Sequence, residues 1–243
     1  MLQSIDIVNR IMSEGVDINK PSLTIEQQKT KGGVAMKVKF ILIVSFMIGL
    51  PLFTAFAEDR MPAISNDKMT EAQRNAVAEL TSGPRGAISG PFWPLLRSPE
   101  FMSRLQKTGE YLRYHSVLGP KLNEFVILIV ARQRTQQYEW FAHYPYAIKA
   151  GLKPDIAQAI AEGRRPAGMA GDEEIVYDFC DELFRTQGVS DATYERAVKK
   201  FGEQGVIDMI GVNGYYTMVA MILNVARTPL PDNKPAPLAL FPH

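Results

Sequence analysis

One cysteine and three histidines in 243 residues leave little room for several common kinds of site. A single thiol, Cys180, forms no disulfide within the chain and supplies no CxxC redox pair. Histidine-rich metal ligand sets are missing too, which argues against a metal centre. Charge of one sign is equally scarce: 27 Lys and Arg against 26 Asp and Glu leave a net charge of +1. No basic stripe interrupts that balance, so the sequence calls for no nucleic-acid partner. No Walker loop, GxGxxG turn, GxSxG elbow or HExxH pair is present. What remains is an ordinary globular composition, 46% hydrophobic and 22% charged.

The N-terminal quarter reads as targeting rather than fold. Met36-Lys37-Val38-Lys39 is a short basic start, and Phe40 to Phe53 is an almost unbroken apolar run. Thr54-Ala55-Phe56-Ala57 then places small residues at −3 and −1 of a cut after Ala57, the three-part pattern of a secretory signal peptide. At about 14 residues the run is short for a spanning helix, although an uncleaved membrane anchor is the other reading. We therefore expect residues 36–57 to be a signal peptide and residues 1–35 an extension before the true start. Localisation would be periplasmic or secreted, with no membrane attachment after cleavage. Without the 6 basic and 4 acidic residues of positions 1–57, Glu58–His243 carries 21 against 22.

From Glu58 onward the pattern is helical, with neither alternating strands nor a hairpin signal. Asn66 or Thr70 caps a first helix that Gly83 stops, so residues 58–90 form an N-terminal helix and a connection. "GPRGAISGPFWPLLRSP" is irregular but too apolar for a solvated linker, and reads as a loop packed over a pocket. Ser98 with Pro99 starts the next helix. Phe125 to Ala131 is apolar on all sides, which marks a central helix; a buried strand is the other reading of that run, and the helical flanks oppose it. Thr135 is the expected cap of a helix over Gln136–Ala150, stopped by Gly151. Further helices cover "KPDIAQAIAEG", "DEEIVYDFCDELFRTQG", "SDATYERAVKKFGEQG" and "VIDMIGVNGYYTMVAMILNVA", the last followed by a Pro-rich tail at 232–243. Gly211 and Gly214 read as sites of close helix packing. Cys180 falls on an apolar stripe and reads as a buried small hydrophobe. The whole is all-α, with seven or eight helices.

"QQYEWFAHYPYAIKAG" carries the chemistry. Glu139 and His143 are four apart and share one helix face. A carboxylate beside an imidazole orients the ring and favours its charged form. Pro145, two residues on, removes the donor that would satisfy the Phe141 carbonyl and is expected to kink the helix. Glu124 opens the buried run, where a lone carboxylate is costly unless paired, and His143 is an available partner if the two helices pack antiparallel. Two carboxylates and a histidine suit general acid/base chemistry with no metal. A minor surface ion pair is the alternative reading of Glu139 and His143.

At these residues the chain resembles the carboxymuconolactone decarboxylase family, which includes the alkylhydroperoxidase AhpD. The resemblance runs from about Phe92 to Pro231, so 91–231 is taken as the family-like domain. It rests on "NEFVILIVARQRTQQYEWFAHYPYAIKAGL" and "SDATYERAVKKFGEQGVIDMIGVNGYYTMVAMILNV". It implies an AhpD-like multi-helix bundle, a homo-oligomer (trimer or hexamer) and a small-molecule substrate. In the peroxidase branch a glutamate precedes a CxxC pair, and a histidine follows four residues after the second cysteine. Carried over, these fall on Glu124, Gln136, Glu139 and His143, so both thiols are missing. That departure points to the branch that decarboxylates a carboxylated muconolactone with no cofactor. The resemblance then implies that His143 donates a proton or stabilises charge, Glu139 orients it and Glu124 relays protons. Trp140, Phe92 and Trp93 would line the pocket, and Arg132 or Arg134 would hold a substrate carboxylate. Residual peroxidase activity and a non-catalytic ligand-binding role are the competing expectations.

Overall fold

The computed structural model describes residues 58–240. The extension at 1–35, the signal peptide at 36–57 and the last three residues lie outside that range.

Among the described residues there are helices and no strands. In chain order they are α1 (Glu71–Ser82), α2 (Phe92–Leu95), α3 (Pro99–Tyr114), α4 (Gly119–Gln133), α5 (Gln137–Lys149), α6 (Pro154–Ala161), α7 (Gly171–Thr186) and α8 (Asp191–Ala226). The architecture expected from periodicity is therefore the one found. Thr70 caps α1 through a full capping box with Gln73, each side chain meeting the other's backbone N–H at 3.2 and 2.9 Å. Ser98 precedes Pro99 at the start of α3 but makes no side-chain cap.

α4 is the central element. Every residue from Leu122 to Arg132 is buried, and it packs against α3, α5, α6, α7 and α8. That explains its sequence: a helix surrounded on all sides has no polar face to show. Burying Phe125 to Val130 contributes on the order of 1.5–3 kcal/mol per large side chain. The antiparallel packing of α4 with α5 sets two helices side by side, and the site is built on that seam.

Three local expectations are corrected. Thr135 is not the cap of α5; it takes a left-handed φ of 45° in the tight link, and Gln136 caps the helix instead. The Gln136 side-chain oxygen accepts from the N–H groups of Tyr138 (2.5 Å) and Glu139 (3.1 Å), and its amide donates to Asn224 on α8 (3.0 Å). Glutamine is a weak local capping signal, and here the tertiary contact to Asn224 fixes its side chain. The two C-terminal helices run together as α8, broken not at Gly205 but at Gly202, whose φ of 70° and ψ of 174° are non-helical. Of the two glycines read as packing sites, only Gly211 is one: a Cβ there would meet Leu112 at 2.8 Å, while Gly214 faces open space. Pro145 sits inside α5 without ending it.

The ends of the described chain dock onto this core. The Arg60 N–H donates to the Ala226 carbonyl at the end of α8 (2.8 Å). In the Pro-rich tail, Leu238 is buried and exchanges two hydrogen bonds with Gln137 (2.8 and 2.9 Å). Between α1 and α2 the chain forms the loop 83–91. Gly90 holds it down: its φ is 51°, and a Cβ would lie 2.6 Å from the Tyr138 ring of α5.

Candidate functional site

Glu124, Glu139 and His143 come together where α4 meets α5. His143 Nδ1 lies 2.6 Å from Glu124 Oε2, and His143 Nε2 lies 3.4 Å from Glu139 Oε2. All three are buried, at 6%, 3% and 5% exposure, which rules out the surface ion-pair reading. The two carboxylates are not equivalent. The Glu124 contact is a short hydrogen bond between helices, whereas Glu139 Oε2 has no hydrogen-bond partner. The orienting role expected of Glu139 thus falls to Glu124. A charge-assisted hydrogen bond of this kind contributes about 1.5–3 kcal/mol.

Burial pushes the Glu139 carboxyl up from its ordinary value; His143 and Arg113 pull the other way, and Glu124 adds to the push. The group therefore leans toward its protonated, neutral form, as one oxygen without a hydrogen bond requires in a low-dielectric wall.

Several partners come from elements the sequence did not connect. Arg113, on the last turn of α3, places its Nε 3.8 Å from Glu124 Oε1 and stacks over the Tyr146 ring at 4.9 Å. Tyr216 of α8 sets its ring edge-on to His143, with centroids 5.1 Å apart. Burial first, then the charge of Glu139, holds the Tyr216 hydroxyl well above its ordinary value. Burial likewise pushes the neighbouring Tyr215 up to about 12. Both phenols are therefore proton donors, not phenolates, at neutral pH. Gly109 of α3 makes room for this layer: a Cβ there would meet the Tyr215 hydroxyl at 2.1 Å. A signal for these residues existed in "GYY", two tyrosines in an otherwise apolar helix; nothing local singles out Arg113.

The cluster borders an inner cavity of about 150 Å³, walled by Glu139, His143, Tyr215 and Tyr216 on one side and by Arg85, Ser89, Pro91 and Phe92 on the other. Beside it an outer cavity of about 610 Å³ includes Glu124, Pro120, Tyr114 and Lys149 in its lining. Arg85, Ser89, Phe92, Arg113 and Tyr146 line both. The Gly/Pro-rich connection does cover a pocket, as its apolar residues suggested.

The other expected lining residues lie elsewhere. Phe92 is in the cavity wall, but Trp93 packs on the core and Trp140 is buried in a stack with Tyr144, centroids 6.3 Å apart; neither borders these two cavities. Arg132 is buried, donates to the Ala239 carbonyl (2.7 Å) and lines a separate cavity of about 190 Å³. Arg134 is exposed and lies over the Phe184 ring at 5.4 Å. The arginines at the His143 cavity are Arg85 and Arg113 instead.

Cys180 lies between α7 and α8, wholly buried, with the Asn213 amide donating to its sulfur at 3.3 Å. Burial pushes its thiol up to about 12. It is the small buried group read from the sequence, and it borders neither cavity of the site.

This arrangement of helices defines a protein of AhpD-like fold. The crystal structure of an alkylhydroperoxidase AhpD core, an uncharacterized peroxidase-related protein from Ralstonia eutropha JMP134, superposes with a TM-score of 0.60. The match covers 71% of this chain and 92% of that one at 16% identity, a likeness that carries the fold alone. No protein-family model and no curated protein matches the chain.

Proposed function

We propose that this chain is a cofactor-free lyase of the carboxymuconolactone decarboxylase type, using His143 and Glu124 in acid/base chemistry on a small acidic or carbonyl-bearing substrate. The observation that carries the reading is the 2.6 Å bond between His143 Nδ1 and Glu124, with His143 lining the inner cavity and Glu124 the outer one. A carboxylate at one ring nitrogen fixes the imidazole, leaving Nε2 on the side of Glu139 for proton transfer.

In such a reaction the C–C bond to a carboxylate breaks and CO2 departs. The bonding electron pair passes into an adjacent carbonyl system as an enolate. His143, as imidazolium, gives its proton to the enolate carbon and is reprotonated from water, with Glu124 holding the ring throughout. Tyr216 and the neutral form of Glu139 add hydrogen-bond donors near the developing charge. The missing thiols of the peroxidase branch support the same choice.

The test is release of labelled CO2 from a panel of 13C-carboxylated lactones and 3-oxo acids. Turnover by the wild type that falls by about 10²–10⁴-fold in His143→Gln, with unchanged circular dichroism, is expected. Full activity in that variant would sink the mechanism.

The fold shared with a peroxidase-related protein motivates a second reading, residual peroxidase activity. It needs a thiolate, and Cys180 is sealed and resistant to ionisation. Hydroperoxide consumption abolished by Cys180→Ala would favour it. Export after cleavage at Ala57 and assembly into a homo-oligomer belong to the same proposal. N-terminal sequencing of secreted protein and light scattering test them.

A further inference from the structure

Arg85 stands out among the cavity residues by what it does not touch. Its Nε and Nη2 are buried without a hydrogen-bond partner, although the residue lines both cavities. These two atoms form the side-on edge of the guanidinium fork, whose parallel N–H groups match the two oxygens of one carboxylate. The flat face of the same group is already taken, stacked on the Phe92 ring at 4.8 Å. A positive group with two buried, unmatched donors is costly, and an anion is the partner that removes the cost. Arg113 and Lys149 add positive charge to the lining. Of the carboxyls nearby, Glu124 is matched by Arg113 and His143, and Glu139 in the inner cavity is pushed toward its neutral form by burial, although the charge of Arg85 opposes that push.

Resting on the lyase reading above, we propose that Arg85 is a carboxylate-binding residue that receives, side-on, an acid group of a substrate carrying two. The group it holds is the one retained in the product. A carboxylate clamped by an arginine is stabilised in its charged form, whereas a carboxylate leaving as CO2 must give that charge up. The departing group therefore sits toward His143 in the inner cavity, and the retained one at the loop 83–91. Lysine at position 85 would keep the charge and lose the paired donors. Binding requires the side chain to turn so that this edge faces the cavity; Gly86 and Gly90, both on the C-terminal side of Arg85 in the loop that carries it, hold positive φ.

The test is calorimetric titration of the purified full chain with benzoate, a monoacid like the retained group, and with benzamide, its neutral isostere. The proposal expects benzoate to bind and benzamide to bind at least tenfold more weakly. It also expects Arg85→Gln and Arg85→Lys each to weaken benzoate at least tenfold, and the distant Arg164→Gln to leave it unchanged. Equal binding of benzoate and benzamide, undiminished binding in Arg85→Lys, or no binding to the wild type overturns it. His143→Gln should bind benzoate normally while losing turnover. Clamp and acid/base failures therefore appear in different measurements.

Discussion

Two of the buried polar clusters in this bundle make a controlled comparison. On the α4–α5 seam, His143 and Glu139 line the inner cavity and Glu124 the outer one, and Glu139 keeps an oxygen without a hydrogen bond. Between α7 and α8, Cys180 and Asn213 are as deeply buried, and the cysteine sits among apolar side chains with no bordering cavity of the site. Burial is common to both. What differs is access, and the convergence of ionisable groups from several helices. One cluster presents ionisable groups to a cavity; the other fills space.

Removing Glu124 should have the largest effect on this contrast. Glu124→Ala strips His143 of its fixed partner and leaves Arg113 without its carboxylate. A loss of about 3–5 kcal/mol in urea unfolding is expected, as for breaking other buried pairs. A change under about 1 kcal/mol would mean that water replaces the carboxylate and that the seam is wet. Next is Gly90→Ala, which strains a residue at φ 51° and drives a Cβ into Tyr138. It should cost about 1–3 kcal/mol and increase proteolysis within the loop 83–91, while the Cys180 region keeps its protection in hydrogen exchange.

A smaller effect is expected in the pH dependence of stability. The Glu139 carboxyl is raised in the folded state, so folding favours its protonated form. Its contribution is fully present below the unfolded carboxyl value and is lost as pH rises through the raised one. Glu139→Gln removes that loss, so its melting temperature should gain on the wild type as pH rises from 4 to 8. Parallel curves would show that folding does not raise the Glu139 carboxyl. The smallest effect belongs to the sealed cluster. Cys180→Ser keeps a partner for Asn213 and should leave turnover unchanged, at a stability cost of about 1 kcal/mol. Native Cys180 should also resist a thiol reagent until the protein is unfolded, and rapid labelling of folded protein would break the comparison outright.

Much of the bundle was legible from periodicity because helix signals are local. Caps at Thr70, the Pro99 start and the all-apolar face of α4 each follow from a few adjacent residues. The Gln136 cap and the Gly202 break were not legible, since Asn224 holds one and the other is a choice between nearby glycines. At the site, the pairing of Glu124 with His143 could be anticipated once two helices were assumed to lie antiparallel. Arg113 and Arg85 could not, and the "GYY" pair marked Tyr216 without placing it at His143, since α3, α8 and the loop 83–91 approach the seam from remote parts of the chain. Arg132 shows the opposite error: adjacent in sequence to the buried run, it leaves the helix on the side of another cavity.

By itself the sequence determined that Glu139 and His143 share a helix face, that a redox thiol pair is absent and that the chain after Glu58 is helical. A 3.6-residue period and a residue count are enough for those. Only the tertiary structure decided which carboxylate holds the imidazole, which arginines reach the cavity and that Cys180 is sealed. Those depend on how helices distant in sequence cross, and a side chain's neighbours across a crossing are set by packing rather than by spacing along the chain.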